Sequence, residues 1–298
     1  MRRCIFPGLL LTASILLLTA CGSEKSNPTM MMTGDLESVE MEVDLSRESL
    51  PYSVEIKRDE STYCSAIDGR LLAEGVYCYP VVQVKAVTSY SEKADVASPT
   101  EQTANRVNAY FERWLEEQRA NFHEISTMAE KNYNLSLESA ESSWDDPDYY
   151  FFDRVHISSW SNRHLVCVTL WRESFTGGAH GISNRQPVTF DAYTGREITI
   201  NDMTDDYVGL CRAVETEILR QIQERTEARD ATEFFKDYKE VIPQWINRSV
   251  FFEEDGLQVV FGAYDIAPYA AGEQAFRIPY QLIDTYLNDY GREALELA

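Results

Sequence analysis

The sequence predicts an α+β fold, with antiparallel sheets, one long helix in the N-terminal half and helices packed on the sheet in the C-terminal half. Three observations carry this expectation. Strand-like segments come in pairs around glycine turns. One long stretch instead repeats its apolar residues at helical spacing. Strands and helices do not alternate one for one, which argues against a parallel, doubly wound sheet. The chain has 298 residues, 44% of them hydrophobic, enough for a sizeable core.

The first twenty residues read as an address rather than as structure. Arg2 and Arg3 precede an apolar run from Cys4 to Leu18, and Leu18-Thr19-Ala20-Cys21-Gly22 follows. A small residue before the cut and a cysteine just after it form a lipobox pattern, in which the Cys21 thiol receives the lipid. Residues 1–20 are therefore expected to be a lipoprotein signal peptide. The polar, acidic stretch 21–47 is expected to be a flexible tether. No other stretch approaches the roughly 18 apolar residues that span a bilayer. The expected location is the extracytoplasmic face of the cell membrane, held by lipid alone.

The net charge of −22 disfavours nucleic acid, whose phosphates are bound by Lys and Arg. It favours steered encounter with a basic partner.

Past the tether, Pro51–Ile56 and Val81–Val87 alternate as strands do. Ser98-Pro99-Thr100-Glu101 reads as a capping box with proline at the first helical position. The helix it opens is expected over 99–131, with a stripe at 104, 107, 111, 114/115, 118, 122 and 125 that only Gln118 breaks. Strands are expected at Tyr149–Ser158 and His164–Trp171, and at Pro187–Ala192 and Arg196–Ile200 around Tyr193-Thr194-Gly195. Helices follow at Asp202–Arg229 and 231–241, the second stopping before Pro243. A hairpin is expected from Ser249–Glu253 and Leu257–Phe261, then a strand at Ala275–Ile278 and a terminal helix from Pro279 to near Gly291. These elements divide into N-terminal (48–140) and C-terminal (141–298) α+β subdomains.

Cys4 leaves with the signal and Cys21 carries lipid, leaving Cys64, Cys78, Cys167 and Cys211. An even number in an oxidising compartment suggests disulfides. The favoured pairing is Cys64–Cys78, around an Asp68-Gly69 turn, with Cys167–Cys211. The alternative for the second pair is two free buried thiols. No metal or other cofactor is expected: no CxxC occurs, and His123, His156, His164 and His180 do not sit at ligand spacings.

No G-x-S-x-G elbow, P-loop, H-E-x-x-H or EF-hand loop is present. Three segments stand out. In Thr176-Gly177-Gly178-Ala179-His180-Gly181, glycines let the backbone approach a ligand closely. His180 there is a structural turn residue, a ligand contact, or a base oriented by Asp191. Asp145, Asp146 and Asp148 are a solvated acidic turn or, less simply, a Ca²⁺ site. Tyr264, Pro268, Tyr269 and Gly272 lie on a loop suited to stacking on a sugar or a protein surface, or to rigid packing between strands.

The Thr-Gly-Gly-Ala-His-Gly string, Phe190-Asp191, Thr194-Gly195, and Asn201-Asp202-Met203 resemble the domain-of-unknown-function family 3298. So do Phe261 to Gly272 and Ile278-Pro279-Tyr280, so that the resemblance covers roughly 160–290. Residues of about 48–135 resemble its companion, family 4163. The pair is similar to the extracellular part of lysozyme-sensing anti-sigma factors, and to the region preceding the catalytic domain of a secreted peptidoglycan deacetylase. The resemblance implies a cell-envelope binding or sensing module without catalysis, with a lysozyme-like protein or peptidoglycan as ligand. Sigma binding and deacetylation are not carried over. The alternatives are a cell-wall hydrolase using His180 and Asp191, and a structural envelope lipoprotein.

Cys21→Ala is expected to move the protein out of the membrane fraction, and intact mass of the wild type should show a lipidated Cys21 at its N-terminus. Equal membrane retention of the variant would refute the lipobox reading.

Overall fold

The strands of the N-terminal half run longer than expected from sequence, one through polar residues and the other through a buried apolar run. In a computed structural model, which describes residues 52–84, 101–138, 150–227 and 234–297, Tyr52–Cys64 (β1) and Leu71–Val84 (β2) make one long antiparallel hairpin. Its turn uses Gly69 at φ +78°, a conformation open to glycine at little cost. The helix Glu101–Glu138 (α1) follows, then the strands Phe151–Ser161 (β3), Leu165–Phe175 (β4), Ile182–Asp191 (β5) and Glu197–Ile198 (β6). These six strands form one sheet in the order β1-β2-β3-β4-β5-β6. The sheet passes through the expected subdomain boundary at 140.

One pairing corrects the antiparallel expectation: β2 and β3 run parallel. Parallel neighbours need a long crossover, and α1 is that crossover.

The chain continues through Tyr207–Glu227 (α2) and Tyr238–Trp245 (α3) to a second, antiparallel sheet of Val250–Phe252 (β7), Gly256–Phe261 (β8) and Gln274–Pro279 (β9). Tyr280–Ile283 (α4) and Asp289–Ala294 (α5) close it. Among the described residues no helix is long and apolar enough to cross a membrane.

The six-stranded sheet is buried on both faces near its centre. On one face Tyr77, Phe151, Val155 and Phe190 are buried, with Phe111 and Trp114 of α1 against Tyr77 and Phe190. Gly75 permits this approach, since a Cβ there would sit 2.8 Å from Phe122. On the other face Leu165 and Cys167 join Leu210, Val214 and Ile218 of α2 and Leu257, Val259 and Phe276 of the second sheet. Burial on both faces explains the continuous apolar run of β4.

A polar network crosses the α1 face. Asp153, only 1% exposed, accepts from Arg172 Nε at Oδ1 and from Nη2 at Oδ2, both at 2.8 Å. Its Oδ2 also accepts from the Tyr77 hydroxyl at 3.1 Å and from Asn121 at 3.3 Å. Arg172 donates onward to Gln118 Oε1 at 2.6 Å. The residue that interrupts the α1 stripe thus meets the half-buried Arg172 guanidinium.

Several boundaries differ from expectation. The N-terminal helix runs to Glu138 because Ala129, Tyr133 and Ser136 stay buried. The third helix includes Pro243, which removes one helical hydrogen bond while Ile242 and Ile246 anchor the turn in the core. The terminal helix is broken: Leu287 bridges to Thr204, and Asn288 opens a new helix by accepting from the Gly291 amide at 2.8 Å.

The expected Cys64–Cys78 disulfide is ruled out by register. Cys64 pairs with Leu71 and Cys78 pairs with Arg58, which puts roughly 20 Å of strand between the two. Cys167 and Cys211 are free thiols, so that pairing is not formed either. Burial pushes the Cys167 thiol up to about 12 and raises that of Cys211 as well.

Asp153→Ala should cost about 3 kcal/mol, because it strands the Arg172 guanidinium. Tyr77→Phe should cost about 1 kcal/mol. Urea denaturation midpoints test both, and equal, negligible shifts would mean the network is not structural.

Candidate functional site

Two separate loops meet beside β5. The first, 176–181, joins β4 to β5. Gly177 at φ +94° and Gly178 at φ +95° turn the chain where side chains are rarely tolerated. The turn delivers His180 to the surface with Nδ1 3.1 Å from the Gly181 carbonyl oxygen. In the neutral ring Nδ1 therefore carries the proton, leaving Nε2 as acceptor.

The second loop, 262–273, joins β8 to β9. Asp265 ties its base, accepting from the Gly262 amide at 2.6 Å, and the Tyr264 amide donates to the Ala267 carbonyl at 3.1 Å. Burial raises the Asp265 carboxyl, and the Gly262 amide partly offsets this. Pro268 leads into a 3-10 turn over Tyr269–Ala271, which Gly272 ends at φ +66°.

The loops meet at three rings. His180 stacks on Tyr269 with centroids 3.8 Å apart and planes 18° apart. The Tyr264 hydroxyl lies 3.3 Å from His180 Nε2, and the Tyr269 hydroxyl donates to the Gly181 carbonyl at 3.0 Å. Tyr264 is 54% exposed and holds φ +74°, a strained conformation for a residue with a Cβ. The sequence marked these two segments independently, and the structure brings them together.

Arg185 fixes the second sheet against β5. Its Nε donates to Glu273 Oε2 at 2.8 Å, its Nη2 to the other oxygen, and its Nη1 to Gln258 Oε1 at 3.0 Å. The guanidinium also lies 4.6 Å from the ring centroid of Trp171, which is 42% exposed. Sequence reasoning missed Arg185, Glu273 and the outward face of Trp171, since only strand register places them together. Beside the cluster a cleft of ≈ 600 Å³ opens, lined by β5 and by Trp245, Val250, Phe252 and Val260.

Asp191 does not join His180. They lie at opposite ends of β5, roughly 30 Å apart along the strand. Asp191 Oδ1 accepts from the Tyr193 and Thr194 amides at 3.0 and 2.7 Å and from the Thr194 hydroxyl at 2.9 Å; Oδ2 accepts from Tyr290 at 2.8 Å. It builds the β5–β6 turn, which α1 also holds through Thr103 and Arg106. The acid–base pair considered from sequence is therefore corrected: the turn consumes the carboxylate. Burial alone would raise its pKa, but hydrogen bonds from Tyr290, Thr194 and Tyr193 hold it below the ordinary carboxylate value.

Among the described residues no three His, Cys, Asp or Glu side chains gather as a metal site. Cys21 and the Asp145–Asp148 segment lie outside the described residues.

Residues 202–281 match the family model described as "Protein of unknown function (DUF3298)". The match runs from the turn before α2 into α4, a shorter span than the resemblance suggested, and it includes the Tyr264–Gly272 loop. Crystal structures of two members of that family share the fold. One, from Bacteroides fragilis, is 16% identical with a TM-score of 0.58, covering 82% of this chain and 96% of its own. The other, from Pseudomonas aeruginosa, is 16% identical with a TM-score of 0.51, covering 80% and 96%. No curated protein matches the chain.

The depressed Asp191 pKa contributes stability above about pH 4, the unfolded value, which is lost as pH falls through the folded value. Asp191→Asn should therefore be less stable than wild type at pH 7 and lose less on acidification to pH 3. Parallel urea titrations at the two pH values check this, and identical acid slopes would contradict it.

Proposed function

We propose that this chain is a lipid-anchored binding module of the cell envelope, acting without catalysis and presenting its His180–Tyr264–Tyr269 cluster to a ligand. The observation that carries the reading is the convergence of two loops on three rings, with Tyr264 exposed and held in a strained backbone conformation. Strain of that kind persists where the surroundings over-determine it, commonly at ligand contacts. Exposed aromatic rings on rigid supports are the usual anchors of protein interfaces. The lipobox around Cys21 supports the anchor, and the resemblance of 48–135 to family 4163 supports an envelope role.

A basic, lysozyme-like protein is the first candidate ligand, because the net charge of −22 favours its approach. Cell-wall glycan is the second, since Tyr264 and Trp171 expose faces on which sugar rings can stack.

Surface plasmon resonance against lysozyme, with peptidoglycan pull-down alongside, tests the proposal. Tyr264→Ala and His180→Ala should each raise the off-rate about tenfold, equivalent to about 1.4 kcal/mol, with far-UV circular dichroism unchanged. Effects below threefold for both, or equal binding by an unrelated protein of similar basicity, would overturn the reading.

A further inference from the structure

β5 has a strand partner on one side along its whole length and on the other side for only two residues. It pairs with β4 from Ile182 to Asp191, while β6 covers Thr189 and Phe190 alone. The direction of each backbone group follows from alternation along the strand. The Asp191 amide donates to the Arg196 carbonyl, on the β6 side, and the next amide, of Ala192, donates to His164, on the β4 side. The β4–β5 register has no shift back to Ile182, so the odd-numbered residues of β5 turn their N–H and C=O groups away from β4. Gly181 keeps this sense, its carbonyl accepting from Tyr269.

The N–H and C=O of Ser183 and Arg185, and the C=O of Pro187, therefore form an open edge. Among the described residues these five groups have no hydrogen-bond partner. Pro187 fits the pattern: it lacks only an N–H that would face outward, so the ladder to β4 stays whole. Ser183, Arg185 and Pro187 also line the ≈ 600 Å³ cleft. An exposed strand edge is a template for another strand, and here it opens onto the cleft.

We propose that this edge binds an extended polypeptide segment of a partner protein by strand addition, the segment carrying basic side chains. The inference rests on the binding-module reading and assigns peptide backbone as the ligand chemistry of the cleft beside the cluster. Two observations select that occupant. Donors and acceptors recur every second residue, about 6.8 Å apart, which is the repeat of a β-strand. The charged groups lining the cleft are Arg185, Arg248, Glu197 and Asp265; Arg185 is already paired with Glu273, and the chain as a whole is strongly acidic.

The test uses the full chain and a fluorescein-labelled hexapeptide of alternating lysine and valine, alongside the same peptide N-methylated at alternate amides in either phase. Anisotropy should show saturable binding of the parent peptide, weakened at least tenfold in the phase that blocks backbone pairing. Hydrogen exchange should show protection of the 183 and 185 amides on binding. Ser183→Pro removes one outward donor and fills the edge, as Pro187 does naturally, and should weaken binding at least tenfold. Ser183→Ala should stay within twofold of wild type. Where Ser183→Pro fails to fold, the methylated peptides decide. Absence of saturable binding, equal binding in both methylation phases, or protection of these amides by a second copy of the chain overturns the proposal. Loss of lysozyme or peptidoglycan binding in Tyr264→Ala, with peptide binding failing the methylation arm, would leave the cluster reading standing and remove strand addition. The reverse pattern would remove the cluster reading alone.

Discussion

Burying the Asp153 carboxylate without a counter-charge would cost several kcal/mol. Arg172 meets that cost with a two-pronged contact, and Tyr77 and Asn121 occupy further acceptor positions. Asp153 and its three partners come from β3, β2, α1 and β4, so the network ties the parallel β2–β3 pairing to the seat of α1. Apolar packing around it is less directional. Tyr77, Phe111 and Phe190 fill volume, whereas Asp153 and Arg172 specify a register that a one-residue slip would break. Gln118 shows the same logic from the helix side, its amide oxygen facing the guanidinium instead of solvent.

With α1 on one face, the other face of the sheet is left to α2 and the second sheet. Their shared core runs from Leu165 and Cys167 to Phe276 and Ile278. Apolar contact brings the two sheets together, and Arg185 then sets their alignment through Glu273 and Gln258. That alignment carries the 262–273 loop to the 176–181 turn. The ring cluster is thus a consequence of how the sheets meet, and its geometry inherits their rigidity. Asp191 performs the corresponding task at the far end of β5, where its four hydrogen bonds build a turn and leave no free carboxylate for chemistry.

Under the proposed binding role, the cluster would act by contact alone. His180 is engaged through both ring nitrogens and one face, and the groups around it are phenols and backbone carbonyls. Tyr264 presents exposed area on a backbone that cannot relax freely, which limits the entropy lost on contact. The open β5 edge beside it would add directional hydrogen bonds to the proposed binding surface. In the proposed role, an acidic chain would attract a basic partner at long range, screened beyond about 8 Å at physiological salt, and short-range contacts would decide which partner stays.

The sequence by itself determined the local elements whose cause is local. Helical spacing located α1, glycine turns located the β5–β6 and β7–β8 hairpins, and the two loops of interest declared themselves through glycine, proline and aromatic residues. It did not reveal that β1 continues through polar residues to a hairpin at Gly69, because its neighbours, not its own hydrophobicity, hold it in strand form. For the same reason Cys64 and Cys78 looked pairable across a loop that is in fact two antiparallel strands. Tertiary structure alone decided that the Asp191 carboxylate also meets Tyr290 and that His180 belongs to an aromatic cluster. Those assignments depend on contacts 84 to 99 residues apart in the chain, such as Tyr264 with His180 and Tyr290 with Asp191. Local propensity encodes which segments bend or extend, whereas the partner of a buried polar group is set by which strands pair and which faces pack.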